Sequence, residues 1–353
     1  MVYIRAKRLE GLKQYKYAGV DNSLTSKYIL KPFYNNVVIK CFPMSMAPNA
    51  ITLSGFSFVV LNFLTLLWYN PTLDQDMPSW VYASWAVGLF LYQTFDAVDA
   101  TLTFYIQTWD EYYTQTLILG VVSGPVEGIL TLCIVYAITA VKGGGSFWQQ
   151  SLLQTIGVAP HAMIPDYIYN LPWNQWYMVY GGLVLVANTI QSIWHVMEVQ
   201  RQQKKPVDKP LYGLAPYFTA AVNVAFYLYF QPVILEHHLI PFVFYVGLIN
   251  AYSVGMIITA HLTKDLEFPM QNVLVLPLSL AVIDSVGPFV GLWPSVLGSG
   301  MYQIAFVFMM LGLGVGVYGS FVYDIITTIC DYLDIWCLTI KHPYVEGKEK
   351  KAK

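Results

Sequence analysis

Asp96 and Asp99 stand at spacing i, i+3, which places both carboxylates on one face of a helix. Side chains that offer only oxygen suit a hard divalent cation, Mg2+ or Mn2+, held together with substrate phosphates. The acids are framed by Gln93-Thr94-Phe95 and Ala97-Val98, and an acid at the end of an apolar helix is costly unless it finds a partner. Set against this, two acids closing an apolar segment are roughly as often simply solvated at the interface. Other polar residues in apolar surroundings divide in the same way. Glu127, in Gly124-Pro125-Val126-Glu127-Gly128, either contacts a substrate or caps its helix. Lys264, three residues after His261, is placed to approach a substrate phosphate, although an interfacial lysine is the commoner case. Asp284 falls inside an apolar segment and is read as structural, pairing with a neighbouring helix. His237 and His238 lie in a loop away from these acids and are not read as a metal site. Cys41, Cys133, Cys330 and Cys337 form no CxxC pair and are read as free thiols.

The elements that must position these residues are set by composition. Of 353 residues, 56% are hydrophobic and 11% charged, against roughly 25% charged in a soluble domain. An ordinary cytosolic protein and a disordered chain are both excluded. Apolar stretches run from about Ala50 to Trp68, Trp80 to Phe95, Leu117 to Val141, Trp176 to Met197, Leu211 to Tyr229, Ile240 to Ala260, Val273 to Leu292 and Gln303 to Tyr323. The fold class expected is an all-α polytopic membrane protein with about eight transmembrane helices. The net charge of −2 gives no field that would attract nucleic acid.

The few charges are clustered. Lys and Arg concentrate in Arg5 to Lys40, Arg201 to Lys209 and Lys341 to Lys353, leaving only Lys142 and Lys264 elsewhere. The positive-inside rule puts all three clusters, and so both termini, on the cytoplasmic side, which agrees with an even number of spans. Residues 1–45 are expected to form an amphipathic segment at the cytoplasmic headgroups, with a solvated basic tail as the plainer alternative. Residues 46–328 form the transmembrane domain and 329–353 a basic cytoplasmic tail. Gly312, Gly314, Gly316 and Gly319 in the last span allow close packing against a helix of the same chain or of a second subunit.

The run Met46-Ala47-Pro48-Asn49-Ala50-Ile51-Thr52-Leu53-Ser54-Gly55, followed by Gln93-Thr94-Phe95-Asp96-Ala97-Val98-Asp99, resembles the CDP-alcohol phosphotransferases, most closely the choline- and ethanolaminephosphotransferases. Lys16 to Leu24, Thr108 to Thr114, Ser123 to Gly128, His261-Leu262-Thr263-Lys264 and Leu338-Thr339-Ile340-Lys341 extend the resemblance over nearly the whole chain, in the family's order. The family signature reads D-x-x-D-G-x-x-A-R and then, further on, G-x-x-x-D-x-x-x-D. Here it stops halfway: Ala100 follows Asp99 in place of Gly, no Ala-Arg comes after it, and the last two aspartates are absent. About fifty residues, enough for one span and most of another, are missing between Asp99 and Thr101, which reduces the family's about ten spans to eight. Loss of a span pair preserves parity, so the remaining topology stays self-consistent.

The resemblance implies transfer of phosphocholine or phosphoethanolamine from CDP-choline or CDP-ethanolamine to diacylglycerol at the cytoplasmic face, with release of CMP. It implies Asp96 and Asp99 as ligands of Mg2+ or Mn2+, Glu127 and Lys264 as substrate contacts, an endoplasmic reticulum or Golgi membrane, and a homodimer. By the same resemblance three signature aspartates hold metal and the fourth is the base, so no catalytic base is expected in this chain. A missing base costs about 10²- to 10⁴-fold on its own, and an impaired enzyme is therefore expected. Asp110 and Glu111, about three helical turns after Asp99, belong to a separate downstream motif and are not expected to replace the lost acids. The alternative of another class is a non-catalytic membrane homologue that binds lipid or pairs with an active enzyme. A small-solute transporter is disfavoured, because paired intramembrane charges and broken-helix symmetry are lacking.

Overall fold

The computed structural model describes residues 3–4, 8–15, 18–21, 25–30, 32–33, 43, 46–95, 101–119, 124–161, 163–265, 267–298 and 300–342. After a short α1 (Glu10–Gln14) and strand β1 (Gly19–Asp21), the chain runs through α2 (Pro48–Tyr69), α3 (Ser79–Phe95) and α4 (Thr101–Thr114). Strand β2 (Leu117–Leu119), α5 (Gly124–Lys142), α6 (Trp173–Gln202), α7 (Ala215–Phe230), α8 (Leu239–Leu262), α9 (Val275–Val290) and α10 (Met301–Leu333) complete it. Each of the eight expected segments contains a helix among its described residues. Among the described residues four stretches are long and apolar enough to cross a membrane: α2, α8, α10, and Asp208–Phe230, which joins α7 to the short helix before it. The chain is an all-α polytopic membrane protein, with one addition that hydropathy does not show: β1 and β2 pair in parallel, Gly19 opposite Leu117. This pairing takes up the start of the third expected span, and its helix α5 begins at Gly124 rather than near Leu117.

Why these elements form is visible locally. Pro48 opens α2 at a first-turn position where its missing N–H costs nothing. The helix is apolar on every face and leaves Leu53, Phe56, Leu61, Leu64 and Trp68 exposed, as a helix against lipid should. At its far end the Asn70 side chain accepts from the backbone N–H groups of Asp74 and Gln75 at 3.1 and 3.3 Å, closing the turn into α3. Pro288 and the left-handed Gly291 (φ 70°) end α9. The 33 residues of α10 make it about 50 Å long at 1.5 Å per residue, well beyond one hydrocarbon thickness. It therefore continues past the expected end near Tyr323, through Asp324 and Asp331, into the basic end of the bundle.

Two sheaves result. In the first, α3 packs on both α2 and α5, centred on Trp85: its indole donates to Thr65 Oγ1 at 2.8 Å and meets the Tyr136 ring edge-on at 5.3 Å. In the second, α8 is the most deeply buried helix, with Phe242, Tyr245, Ile249 and Ile257 almost fully enclosed by α4, α10 and their neighbours. There α7 packs on α9 and is tied to it where Asn223 donates to Ser279 Oγ at 2.7 Å.

The described part of the N-terminal segment does more than lie beside the bundle. Ile4 and Leu9 are buried, Tyr3 meets Phe321 of α10 edge-on at 5.2 Å, and Arg8 pairs with Asp265 just beyond α8. A Cβ on Gly11 would come within 2.4 Å of the Thr263 carbonyl oxygen, so only glycine allows α1 to sit this close to the end of α8.

Candidate active site

Asp96 and Asp99 lie outside the described residues, but the elements that lead to them do not. Helices α3 and α5 run antiparallel: the backbone N–H of Gly145, after α5, donates to Asp76, before α3, at 2.5 Å, and Trp85 meets Tyr136 midway. Counting about ten residues along each helix from that contact brings Phe95 and Glu127 to one level, about 15 Å away at 1.5 Å per residue. Glu127 thus stands at the height where α3 hands over to Asp96. It lies in the first turn of α5, where a carboxylate is also favoured by the helix dipole, so the two readings of this residue coincide in one place. Beside it on α3, Gln93 and Thr94 are buried polar residues, and Thr94 donates to the Phe90 carbonyl at 2.7 Å.

Helix α4, directly after the break in the signature, is too short to span a bilayer. It does not lie free at the interface. It is clamped from Tyr105 onward: Tyr105 donates to the Gly213 carbonyl at 2.8 Å, Trp109 to the Pro210 carbonyl at 2.9 Å, and Tyr112 to the Asp265 carbonyl at 2.7 Å. Asp110 and Glu111 each face a histidine from another helix. Asp110 meets Nδ1 of His195 on α6 at 2.8 Å, and Glu111 approaches Nε2 of His261 on α8 at 3.6 Å. Burial pushes the Asp110 carboxyl above its ordinary range, and the adjacent His195 pulls it back. The Glu111 carboxyl is raised by burial and, after that, by the charge of Asp110. With the Asp110 carboxylate turned into the bundle and bound to His195 and Thr114, this pair forms a brace between helices. His195 carries no local signal in the sequence, being a lone histidine within a long apolar helix.

The remaining expected residues fall in separate places. Lys264 follows α8 in the left-handed conformation (φ 52°) and lines a cavity of about 470 Å³ with Lys205 and Lys209; Glu127 is not part of that lining. Asp284 is structural, but its partner is the loop after α9 and not a neighbouring helix. Its carboxylate accepts from Ser295 Oγ and from the Val296 N–H, both at 2.6 Å. His237 and His238 line an apolar cavity at the opposite end of the bundle, with Phe63, Phe244 and Phe308. Cys133, Cys330 and Cys337 are free thiols, and Cys41 lies outside the described residues. Of the glycines on α10, Gly314 faces Leu248 and Tyr245 of α8, while a Cβ on Gly312, Gly316 or Gly319 would meet nothing within 4 Å. Among the described residues no group of three or more His, Cys, Asp or Glu is placed to hold a metal ion. Two aspartates offer oxygen of the kind Mg2+ accepts, and Glu127 stands level with the end of the helix that leads to them.

These features describe a polytopic helical membrane protein with Glu127 level with the end of α3 and with Lys205, Lys209 and Lys264 around one cavity. No family model matches the sequence. The chain is 37% identical to an uncharacterized CDP-alcohol phosphatidyltransferase class-I family protein of Schizosaccharomyces pombe, over 96% of this chain and 97% of the relative. It is 33% identical to choline/ethanolaminephosphotransferase 1 of Saccharomyces cerevisiae (96% and 98%) and 30% identical to cholinephosphotransferase 1 of the same yeast (97% and 98%). The chain belongs to the CDP-alcohol phosphatidyltransferase class-I family, among the choline/ethanolaminephosphotransferases. The alignment with the S. pombe relative is 393 positions long and that with the first yeast relative 402, while this chain has 353 residues. At least 40 and 49 positions respectively therefore hold no residue of this chain.

Proposed function

We propose that this chain is a form of a phospholipid-synthesising transferase that passes phosphocholine or phosphoethanolamine from a CDP-alcohol to diacylglycerol, and that as it stands it turns over little or not at all. The observation that carries this reading is the direct join of Asp99 and Ala100 to the helix Thr101–Thr114, where the family signature continues with two more aspartates. The excess length of the alignments supports a missing internal segment, and the break in the signature is where we place it.

The reaction breaks the bond between the β-phosphate and the CMP oxygen and forms one to the diacylglycerol hydroxyl oxygen. It therefore needs charge neutralisation at the pyrophosphate and an acceptor for the hydroxyl proton. Bound Mg2+ or Mn2+ would supply the neutralisation, with Asp96 and Asp99 holding it and phosphate and water completing the shell. Glu127, level with the end of α3, is the residue we assign to contact with the CDP-alcohol. None of these residues takes the role of the absent base. The carboxylate of Asp110, engaged by His195 inside the bundle, is not available to do so.

The basic clusters support a cytoplasmic position for this end and for both termini, by the positive-inside rule. The membrane is that of the endoplasmic reticulum. The test is CMP release by the purified full chain in lipid nanodiscs, with CDP-choline or CDP-ethanolamine, diacylglycerol and Mg2+. Turnover indistinguishable from protein-free nanodiscs supports the reading. Robust Mg2+-dependent turnover overturns it.

A further inference from the structure

The cavity lined by Lys264, which the resemblance makes a substrate contact, does not include Glu127 and is not used in the reaction outlined above. It lies where the ends of α6 and α8 meet the second half of α4, about 470 Å³ in volume, with Tyr112, Gln115, Gln200, Lys205, Lys209 and Lys264 in its wall. Tyr112 is about 16 Å further along α4 than Thr101, at 1.5 Å per residue, so the cavity is separate from the place where the signature breaks off.

We propose that this cavity is a binding site for a multiply charged phosphate group at the basic end of the bundle. Its charge balance carries the inference. Three lysines converge on one space, and none is paired with an acid among the described residues. The acid in the lining, Asp265, is engaged by Arg8 and does not offset them. A lysine near a helix C-terminus is favoured by the dipole, which accounts for Lys205 after α6 and Lys264 after α8 taken singly. It does not account for their convergence with Lys209 on a shared cavity, where three solvent-exposed lysines offer their charges to one anion.

Lys264 adds a second indication. It occupies the left-handed position that ends α8 (φ 52°), where glycine is the residue without strain. What lysine supplies there is charge. The buried Gln200 brings an amide group to the wall, suited to phosphate oxygens once the lysines have drawn the anion in, while the exposed Gln115 amide already donates to the Tyr112 carbonyl at 2.8 Å. A basic pocket between helix ends at a membrane surface is a recurrent receptor for anionic headgroups. A soluble pyrophosphate carries the same chemistry, and both sources can be tested together.

The experiment uses the full chain in phosphatidylcholine nanodiscs, in EDTA so that no divalent cation recruits phosphate elsewhere. One arm titrates inorganic pyrophosphate by calorimetry. The other measures retention of a bisphosphorylated phosphoinositide over phosphatidylcholine by native mass spectrometry. The wild type binds in at least one arm, and which arm responds identifies the lipid or the soluble source. The combined variant Lys205→Gln, Lys209→Gln, Lys264→Gln weakens that binding by about tenfold or more. Replacement of the same three by arginine retains it, and Lys142→Gln, at the other end of the bundle, leaves it unchanged. No binding by the wild type in either arm, or equal binding by the wild type and the glutamine variant at matched melting temperature, overturns the site. Because the readout is binding without turnover, its outcome is independent of the transferase assay.

Discussion

The carboxylate of Asp110 meets Nδ1 of His195 at 2.8 Å, joining α4, which directly follows the interrupted signature, to the C-terminal third of the long helix α6. The two residues are 85 positions apart, and the contact is largely shielded from solvent. A charge-assisted bond of this kind contributes about 1.5–3 kcal/mol, and removing one partner strands the other. His195→Ala should therefore lower the stability of the chain by about 2 kcal/mol. The double variant with Asp110→Ala should cost clearly less than the sum of the two single changes. Thermal melts of the four proteins in nanodiscs check this; strict additivity would show that the contact contributes nothing.

Glu111 has the opposite effect on stability. Burial, and then the charge of Asp110, raise its carboxyl above the ordinary 4.5. As pH falls, the folded state takes up that proton before the unfolded chain does. The stabilisation linked to it is fully present below 4.5 and is lost as pH rises through the raised value. At neutral pH the ionised Glu111 weakens the fold, so Glu111→Gln should raise the melting temperature there. The gain should shrink steadily on acidification. A variant less stable than wild type at neutral pH would show that His261 acts as a charged partner for Glu111.

The docking of the N-terminal segment rests on Gly11. An alanine there would bring its Cβ to 2.4 Å from the Thr263 carbonyl oxygen, a backbone atom that cannot turn aside. Gly11→Ala should cost about 1–3 kcal/mol, as overpacking does, and should free α1 from the end of α8. Limited proteolysis reads this as faster cleavage ahead of Pro48 with the bundle left intact, whereas an unchanged cleavage rate would mean that α1 sits further from Thr263.

Asp284 holds the loop after α9 by accepting from Ser295 Oγ and the Val296 N–H. Asp284→Ala leaves these donors without their acceptor and should destabilise the chain by about 2 kcal/mol. The companion change Ser295→Ala should cost less, because the backbone contact survives it. Comparable losses from both would place the effect in the side-chain pair alone.

Much of the helical framework is legible in the sequence, because a bilayer imposes one dominant requirement: α2, α8 and α10 announce themselves by apolar length. What lies between spans is less legible, since it depends on partners distant in sequence. Arg8 pairs with a residue 257 positions away, and nothing near Arg8 points to Asp265. The strands β1 and β2 are three residues each, too short for an alternating pattern, and each needs the other to form. Asp284 is recognisable as costly inside an apolar segment, but its partner is a loop that folds back over the helix, which no periodicity encodes. At the candidate site, the spacing of Asp96 and Asp99 suits a hard cation but equally suits solvated acids, and the surrounding motif is what favours metal chemistry. That Glu127 comes level with the end of their helix emerges only once the Trp85 and Tyr136 contact fixes how α3 and α5 slide against each other. His195 stays hidden for the same reason as Asp265: its meaning lies in the helix it faces.

The central claim is that an absent internal segment, and not a defect elsewhere, limits this chain. The most direct measurement compares CMP release by the chain as it stands with release by the same chain carrying, between Asp99 and Thr101, the corresponding segment of the S. cerevisiae choline/ethanolaminephosphotransferase 1. Restoring the base and the remaining acids should raise the rate by about 10²-fold or more. Equal rates from two folded proteins, or full activity of the chain without the insert, would contradict the account.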